Sequence, residues 1–200
     1  MRRLPFVLLP AALVLALVAG ALLWRAADEL PGVGSVWSTG TARIGGPFAL
    51  LDQDGHKRSP KDFAGRYMLV YFGYTYCPDV CPTTLALMAD ALGKVGARAD
   101  RVVPVFITID PARDTPAVLK AYLKSFGPQF VGLTGDASSV AKAAAAYSVT
   151  LRKVPLPGGS YGMDHSSVIY LMGPDGKFIT YWDDTAIGPD KLAEDLRTRL

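Results

Sequence analysis

Two uninterrupted apolar runs of strand length, YMLVYFGY at 67–74 and RVVPVFITID at 101–110, enclose a segment of helical period, TTLALMADALGKVG at 83–96. Runs without polar alternation suit strands buried on both faces, whereas Leu85, Met88, Leu92 and Val95 recur at the spacing of one helix face. Downstream the alternation continues. DTPAVLKAYLKSFG (114–127) and ASSVAKAAAAYSV (137–149) read as helices, with Asp114, and Asp136 or Ser138, available as caps. FVGL (130–133) between them is a short strand, and VTLRKVPLPGG (149–159) is a strand running into a Pro/Gly loop. SSVIYLM and KFITYW then make a hairpin across Gly173 to Gly176, and Pro189 opens a last helix, DKLAEDLRTRL. Upstream, PFALLDQDGHKRS (47–59) reads as a small hairpin turning at Asp54-Gly55. Strands alternating with helices and closing on a hairpin and helix imply an α/β domain, a central mixed sheet covered on both sides. A chain of 200 residues suits one such domain.

The N-terminus has a different character. Leu4 to Trp24 carries no charged side chain, follows Arg2 and Arg3, and is closed by Arg25. As a helix this run reaches roughly 30 Å, the thickness of a bilayer's hydrocarbon layer. The basic end stays in the cytoplasm by the positive-inside rule. The run exceeds an ordinary signal core, so residues 1–25 are expected to be a retained single-pass anchor in the inner membrane rather than a cleaved signal ending at Ala19-Gly20-Ala21. Residues 26–45, rich in Gly, Ser and Thr, read as a linker, and residues 46–200 as the domain, exported to the periplasmic side. Arg2, Arg3 and Arg25 are three of the 21 basic residues, which leaves 18 against 18 acidic ones. An electrically balanced exported part offers no electrostatic case for nucleic acid.

Both cysteines of the chain, Cys77 and Cys81, lie in YTYCPDVCPTT, where strand gives way to helix. Outside the cytoplasm a disulfide staple is the simple expectation. Yet closing so short a loop stabilises by only about 2 kcal/mol, against nearly 5 for a loop of a hundred residues, so chemistry explains the pair better. Four residues apart at a helix start, the sulfurs are near enough to form a disulfide or to share one metal ion. Pro82 suits the first helical position, which would put Cys81 at or beside the N-cap, where unpaired N–H groups and the helix dipole favour a thiolate. Ligands in open α/β sheets bind beyond the carboxyl ends of the strands, where Cys77 falls. A second polar feature is His165 in SYGMDHSSVIYLM, placed by a Gly-containing loop just before an apolar strand. A thioredoxin-type redox protein would carry proline there.

Taken in order, LLDQDG…DFAGRYMLVYFGYTYCPDVCP, GYTYCPDVCPTTL and GMDHSSVIYLMGPDGKFITYW resemble the Sco/SenC family, membrane-anchored proteins of cytochrome c oxidase assembly. The likeness runs from about Gly46 to Leu200. It implies a thioredoxin-like fold that binds copper through two cysteines and a histidine, matched here by Cys77, Cys81 and His165. It also implies the copper-binding subunit of the oxidase as recipient, a copper-donor chaperone and a thiol reductant of thioredoxin type as partners, and membrane attachment through Leu4 to Trp24. Many members carry histidine before the first cysteine, where this chain has Tyr76.

The residue chemistry agrees. Two thiolates suit Cu(I), and an added imidazole lets the same site hold Cu(II). Structural zinc wants a fourth ligand, which would have to come from Asp79, His56 or water. His56 beside the Asp54-Gly55 turn reads as a solvated residue, Met163 as packing, Asp164 as a neighbour that could orient the imidazole, and Asp79 as a partner contact or solvated loop residue. The leading expectation is therefore a copper metallochaperone, a carrier rather than a turnover enzyme. Its rival is a thiol-disulfide oxidoreductase, with Cys77 and Cys81 as the redox pair, keeping the oxidase's copper-ligand cysteines reduced. A thiol peroxidase is a third possibility, for which Thr75 without an evident arginine is thin support.

Overall fold

The computed structural model describes residues 44–200, and the anchor expected at residues 1–25 and most of the linker lie outside them. Among the described residues no helix is long and apolar enough to cross a membrane. The elements in chain order are β1 (Leu50–Asp52), β2 (Lys57–Arg58), β3 (Tyr67–Gly73), α1 (Val80–Val95), β4 (Val102–Thr108), α2 (Pro116–Leu123), β5 (Val131–Thr134), α3 (Ala137–Ala146), β6 (Leu151–Pro155), β7 (Tyr161–His165), β8 (Val168–Met172), β9 (Phe178–Asp183) and α4 (Pro189–Arg199). Seven strands form one sheet in the order β2-β1-β5-β4-β3-β8-β9, and β6 and β7 form a separate two-stranded ribbon.

The expected buried strands lie at the centre. β3, β4 and β5 run parallel, and β8 joins β3 antiparallel with Tyr71 opposite Ile169. The crossovers from β3 to β4 and from β4 to β5 step in the same direction along the sheet, and right-handed connections then place α1 and α2 on the same face. Side chains confirm that placement. Tyr71 reaches Cys81 in α1, while its neighbour Phe106 packs on Tyr122 of α2. Phe72 points the other way and meets Tyr147, at the end of α3, with a ring separation of 5.3 Å. Helices therefore cover both faces of a mixed sheet, as the alternation of segments implies.

The small hairpin also forms, with Leu50 opposite Arg58 and Gly55 at φ 84° in its turn, a conformation open to glycine. Three local expectations are corrected. Helix α1 begins at Val80 with Asp79 as N-cap, so Cys81 and Pro82 are its second and third residues. The first four N–H groups of any helix lack intrahelical partners, so proline fits there as well as at the first position. Asp136 does cap α3, accepting from Ser139 N at 2.8 Å, but Thr115 caps α2 and Asp114 is buried beneath the cysteine loop. Finally, SYGMDH is no loop: Tyr161–His165 is strand β7, paired with β6 so that Leu151 stands opposite His165. Its glycine and polar residues hide the strand period, because the ribbon has no buried face to demand alternation.

Candidate metal centre

The site forms where the parallel strands end. β3 and β4 are in register with Gly73 opposite Thr108, so the segments that follow them emerge side by side. One is the cysteine loop, and the other carries Asp110, Arg113 and Asp114. Ile109 N donates to Gly73 O at 2.8 Å. Asp114 accepts from Thr75 N at 3.1 Å, from the Thr75 hydroxyl at 2.6 Å and from the Thr108 hydroxyl at 2.6 Å, which pins the start of the loop. Burial pushes the Asp114 carboxyl above its ordinary pKa, and the Thr108 and Thr75 hydrogen bonds oppose that rise.

The third side of the site comes from β8. Antiparallel pairing of Tyr71 with Ile169 means that the residues preceding β8 lie beside the end of β3, which brings His165 to the cysteines across 84 positions of sequence. Cys81 Sγ is 3.8 Å from His165 Nε2. The Cys81 N–H donates to Cys77 Sγ at 3.5 Å, and both cysteines are free thiols. His165 Nδ1 lies 2.9 Å from Ser166 O. A carbonyl oxygen only accepts, so Nδ1 carries a proton, and Nε2 is the ring nitrogen turned toward Cys81. The ring is held edge-on by Tyr71 and Tyr74, with centroids 6.3 and 6.2 Å away.

Cys81 is fully buried, Cys77 half-buried. Burial pushes the Cys81 thiol up to about 12, although hydrogen bonding from Tyr74 pulls the other way. This corrects the expectation of a dipole-stabilised thiolate at Cys81: desolvation outweighs the helix terminus. The sulfur is packed closely enough that a Cβ on Gly73 would stand 2.9 Å from it.

The expected ligands are thus neighbours in pairs, Cys77 with Cys81 and Cys81 with His165. Among the described residues no group of three His, Cys, Asp or Glu side chains stands as a ready metal-holding cluster. A sulfur and a nitrogen bound to one ion at about 2.3 and 2.0 Å stand roughly 3.5 to 3.7 Å apart, close to the separation of Cys81 and His165. The other candidates take the plainer roles. His56 is exposed beside Asp52, Asp164 pairs with Arg152 at 2.8 Å, and Met163 packs against the core. Asp79 is exposed at the head of α1.

Sequence reasoning missed Arg113. Its guanidinium lies 4.6 Å from the ring centre of Tyr76, 3.8 Å from that of Tyr161 and 5.7 Å from that of Tyr74. It pairs with Asp110 and donates to Tyr161 O at 3.0 Å. An arginine therefore does stand against the rings of Tyr74 and Tyr76, the residues that flank Thr75, but Thr75 is engaged by Asp114 and the Cys81 thiol is buried. A peroxidase finds little to use here.

The sequence model of the SCO1/SenC family matches residues 37–200. The chain belongs to the SCO1/SenC family. Among its curated relatives, Protein SCO1 homolog 1, mitochondrial, of Arabidopsis thaliana is 40% identical over 146 residues, which are 72% of this chain and 44% of that one. The chain spans about half the length of the curated relatives it matches. Among solved Sco structures, Bradyrhizobium japonicum ScoI with copper bound is 46% identical at a TM-score of 0.73, the match covering 78% of this chain and 99% of that one. BsSco, described as a member of the Sco family of cytochrome c oxidase assembly proteins with a disulfide switch, is 27% identical at a TM-score of 0.62, covering 78% and 93%. These likenesses bear out the Sco/SenC resemblance and the mixed α/β architecture with a central sheet.

Proposed function

We propose that this Sco protein is a copper metallochaperone, which takes up copper outside the cytoplasm and delivers it to the binuclear copper centre of cytochrome c oxidase during assembly. The observation that carries the reading is the 3.8 Å approach of Cys81 Sγ to His165 Nε2 with the Cys77 sulfur alongside. Copper is cargo here. Cys77 and Cys81 supply thiolates for Cu(I), and His165 Nε2 adds the nitrogen that Cu(II) prefers. Closing the set around an ion falls to Cys77, which lies on a loop and is half-buried. The copper-bound structure of B. japonicum ScoI supports the cargo, and the likeness to BsSco, a member of the Sco family of cytochrome c oxidase assembly proteins, supports the assembly role.

The same proposal includes a single-pass inner-membrane anchor through Leu4 to Trp24 with the domain in the periplasm, supported by the apolar run and its flanking arginines. Its partners are the copper-binding subunit of the oxidase, a donor chaperone and a thioredoxin-type reductant that returns the cysteines to the thiol form. Uptake releases protons, because the thiols must ionise to bind. A Cys77–Cys81 disulfide would remove both sulfur ligands.

A second reading is favoured by the two free thiols one helical turn apart: a thiol-disulfide oxidoreductase acting on the oxidase's cysteines. The first experiment is metal analysis of the reduced protein, with an absorption spectrum on adding Cu(II). One equivalent of copper with thiolate-to-copper charge-transfer bands is the expected result. No bound copper, with dithiol exchange intact, would favour the oxidoreductase.

A further inference from the structure

Among the described residues, Arg113 is the one cation that stands over rings from both halves of the metal centre. Tyr76 is the residue before Cys77, Tyr161 begins the strand that His165 ends, and Tyr74 packs edge-on against His165 itself. The guanidinium is anchored from a third direction, by Asp110 of the segment after β4, which also accepts from the Tyr161 hydroxyl at 2.9 Å. Of the two plates, Tyr161 is fixed by these bonds and by ribbon pairing. Tyr76 is 64% exposed, and its ring lies against the Arg113 guanidinium. Cation–π attraction is strongest where water is kept from the cation, and the Arg113 side chain is only 17% exposed.

Resting on the copper-site reading above, we infer that Arg113 is a positioning residue for metal binding: a guanidinium clasp that ties the cysteine loop to the histidine strand and sets their approach. A planar, delocalised cation can stack on two rings while hydrogen-bonding in its own plane, which an ammonium cannot do. The clasp touches no ligand atom. It acts through Tyr76 on Cys77 and through Tyr161 and Tyr74 on His165.

The test uses Arg113→Met, Arg113→Lys, Tyr76→Leu and Tyr76→Phe in the full chain, with Cu(I) and Cu(II) titrated separately. Residues that orient ligands typically change metal affinity about 10- to 100-fold. Arg113→Met is expected to weaken Cu(II) by about that factor and shift its charge-transfer bands, while Cu(I), held chiefly by two thiolates, stays near wild type. Arg113→Lys follows Met, Tyr76→Leu weakens Cu(II) in the same sense, and Tyr76→Phe, which keeps the ring face, restores wild-type behaviour. The double variant Arg113→Met/Tyr76→Leu adds little to the single ones. Equal losses for both oxidation states, full rescue by lysine, or additive effects would overturn the clasp.

Amide exchange in the metal-free protein gives an independent arm. Residues 74–77 and 161–165 should gain exchange together in Arg113→Met, and a gain confined to one segment contradicts the inference. If wild type binds no copper while the two segments still loosen together, the chaperone reading fails and the clasp stands.

Discussion

Cys81 Sγ and His165 Nε2 lie 3.8 Å apart although 84 positions of sequence separate them. The approach follows from topology. An antiparallel β8 next to β3 lays the residue that ends β7 beside the helix that follows β3. The imidazole is oriented before any ion arrives, since the Ser166 carbonyl fixes its proton on Nδ1.

Gly73 is the first test of how tightly this corner is built. A Cβ there would meet Cys81 Sγ and Phe106 Cε2 at 2.9 Å and Tyr71 Cε1 at 3.2 Å, all in the core. Gly73→Ala is expected to cost about 1–3 kcal/mol, the usual range for forcing a group into a packed interior. It should also weaken copper binding by displacing the sulfur. Denaturant unfolding and a copper titration check both parts.

The two thiols should differ sharply in reactivity. With its thiol pushed up to about 12 and no solvent exposure, Cys81 stays protonated at pH 7, and only the thiolate attacks. Iodoacetamide with mass mapping is expected to label the half-buried Cys77 first. Cys81 labelling should remain slow and climb about tenfold per pH unit through pH 9. Prior labelling at Cys81 would contradict the burial argument.

Asp114 gives a pH signature with a definite sign. Its folded pKa is raised, so between about 3.9, the unfolded value, and that raised value the folded state holds more protons. The stability this group supplies is present below the unfolded pKa and is lost as pH rises through the folded one. In Asp114→Asn that loss disappears. The stability difference between variant and wild type should therefore shift in the variant's favour from pH 4 to pH 7, as measured by urea unfolding at each pH.

Much of the domain is legible in the sequence because burial enforces pattern. β3 and β4 announce themselves as unbroken apolar runs since both faces are covered, and Leu85, Met88 and Leu92 mark the buried side of α1. The cysteine pair stands out by scarcity and spacing. His165 stands out as an imidazole just before an apolar strand, but its link to the cysteines comes through the Sco/SenC resemblance, because nothing local says which strand its own lies beside. β7 escapes notice because a ribbon outside the main sheet has no core to impose alternation. Arg113 escapes for a related reason: only the in-register end of β3 and β4 reveals that it faces Tyr76. The Cys81 thiol is misjudged from sequence because the helix terminus is visible there and the burial is not.

The most direct test of the copper-centre claim is His165→Ala in the reduced protein, measured by Cu(II) titration alongside a dithiol–disulfide exchange assay. Loss of most of the Cu(II) affinity and of the wild-type charge-transfer spectrum, with exchange at Cys77 and Cys81 retained, is the result predicted. Unchanged copper binding would place the imidazole outside the coordination set and contradict the account.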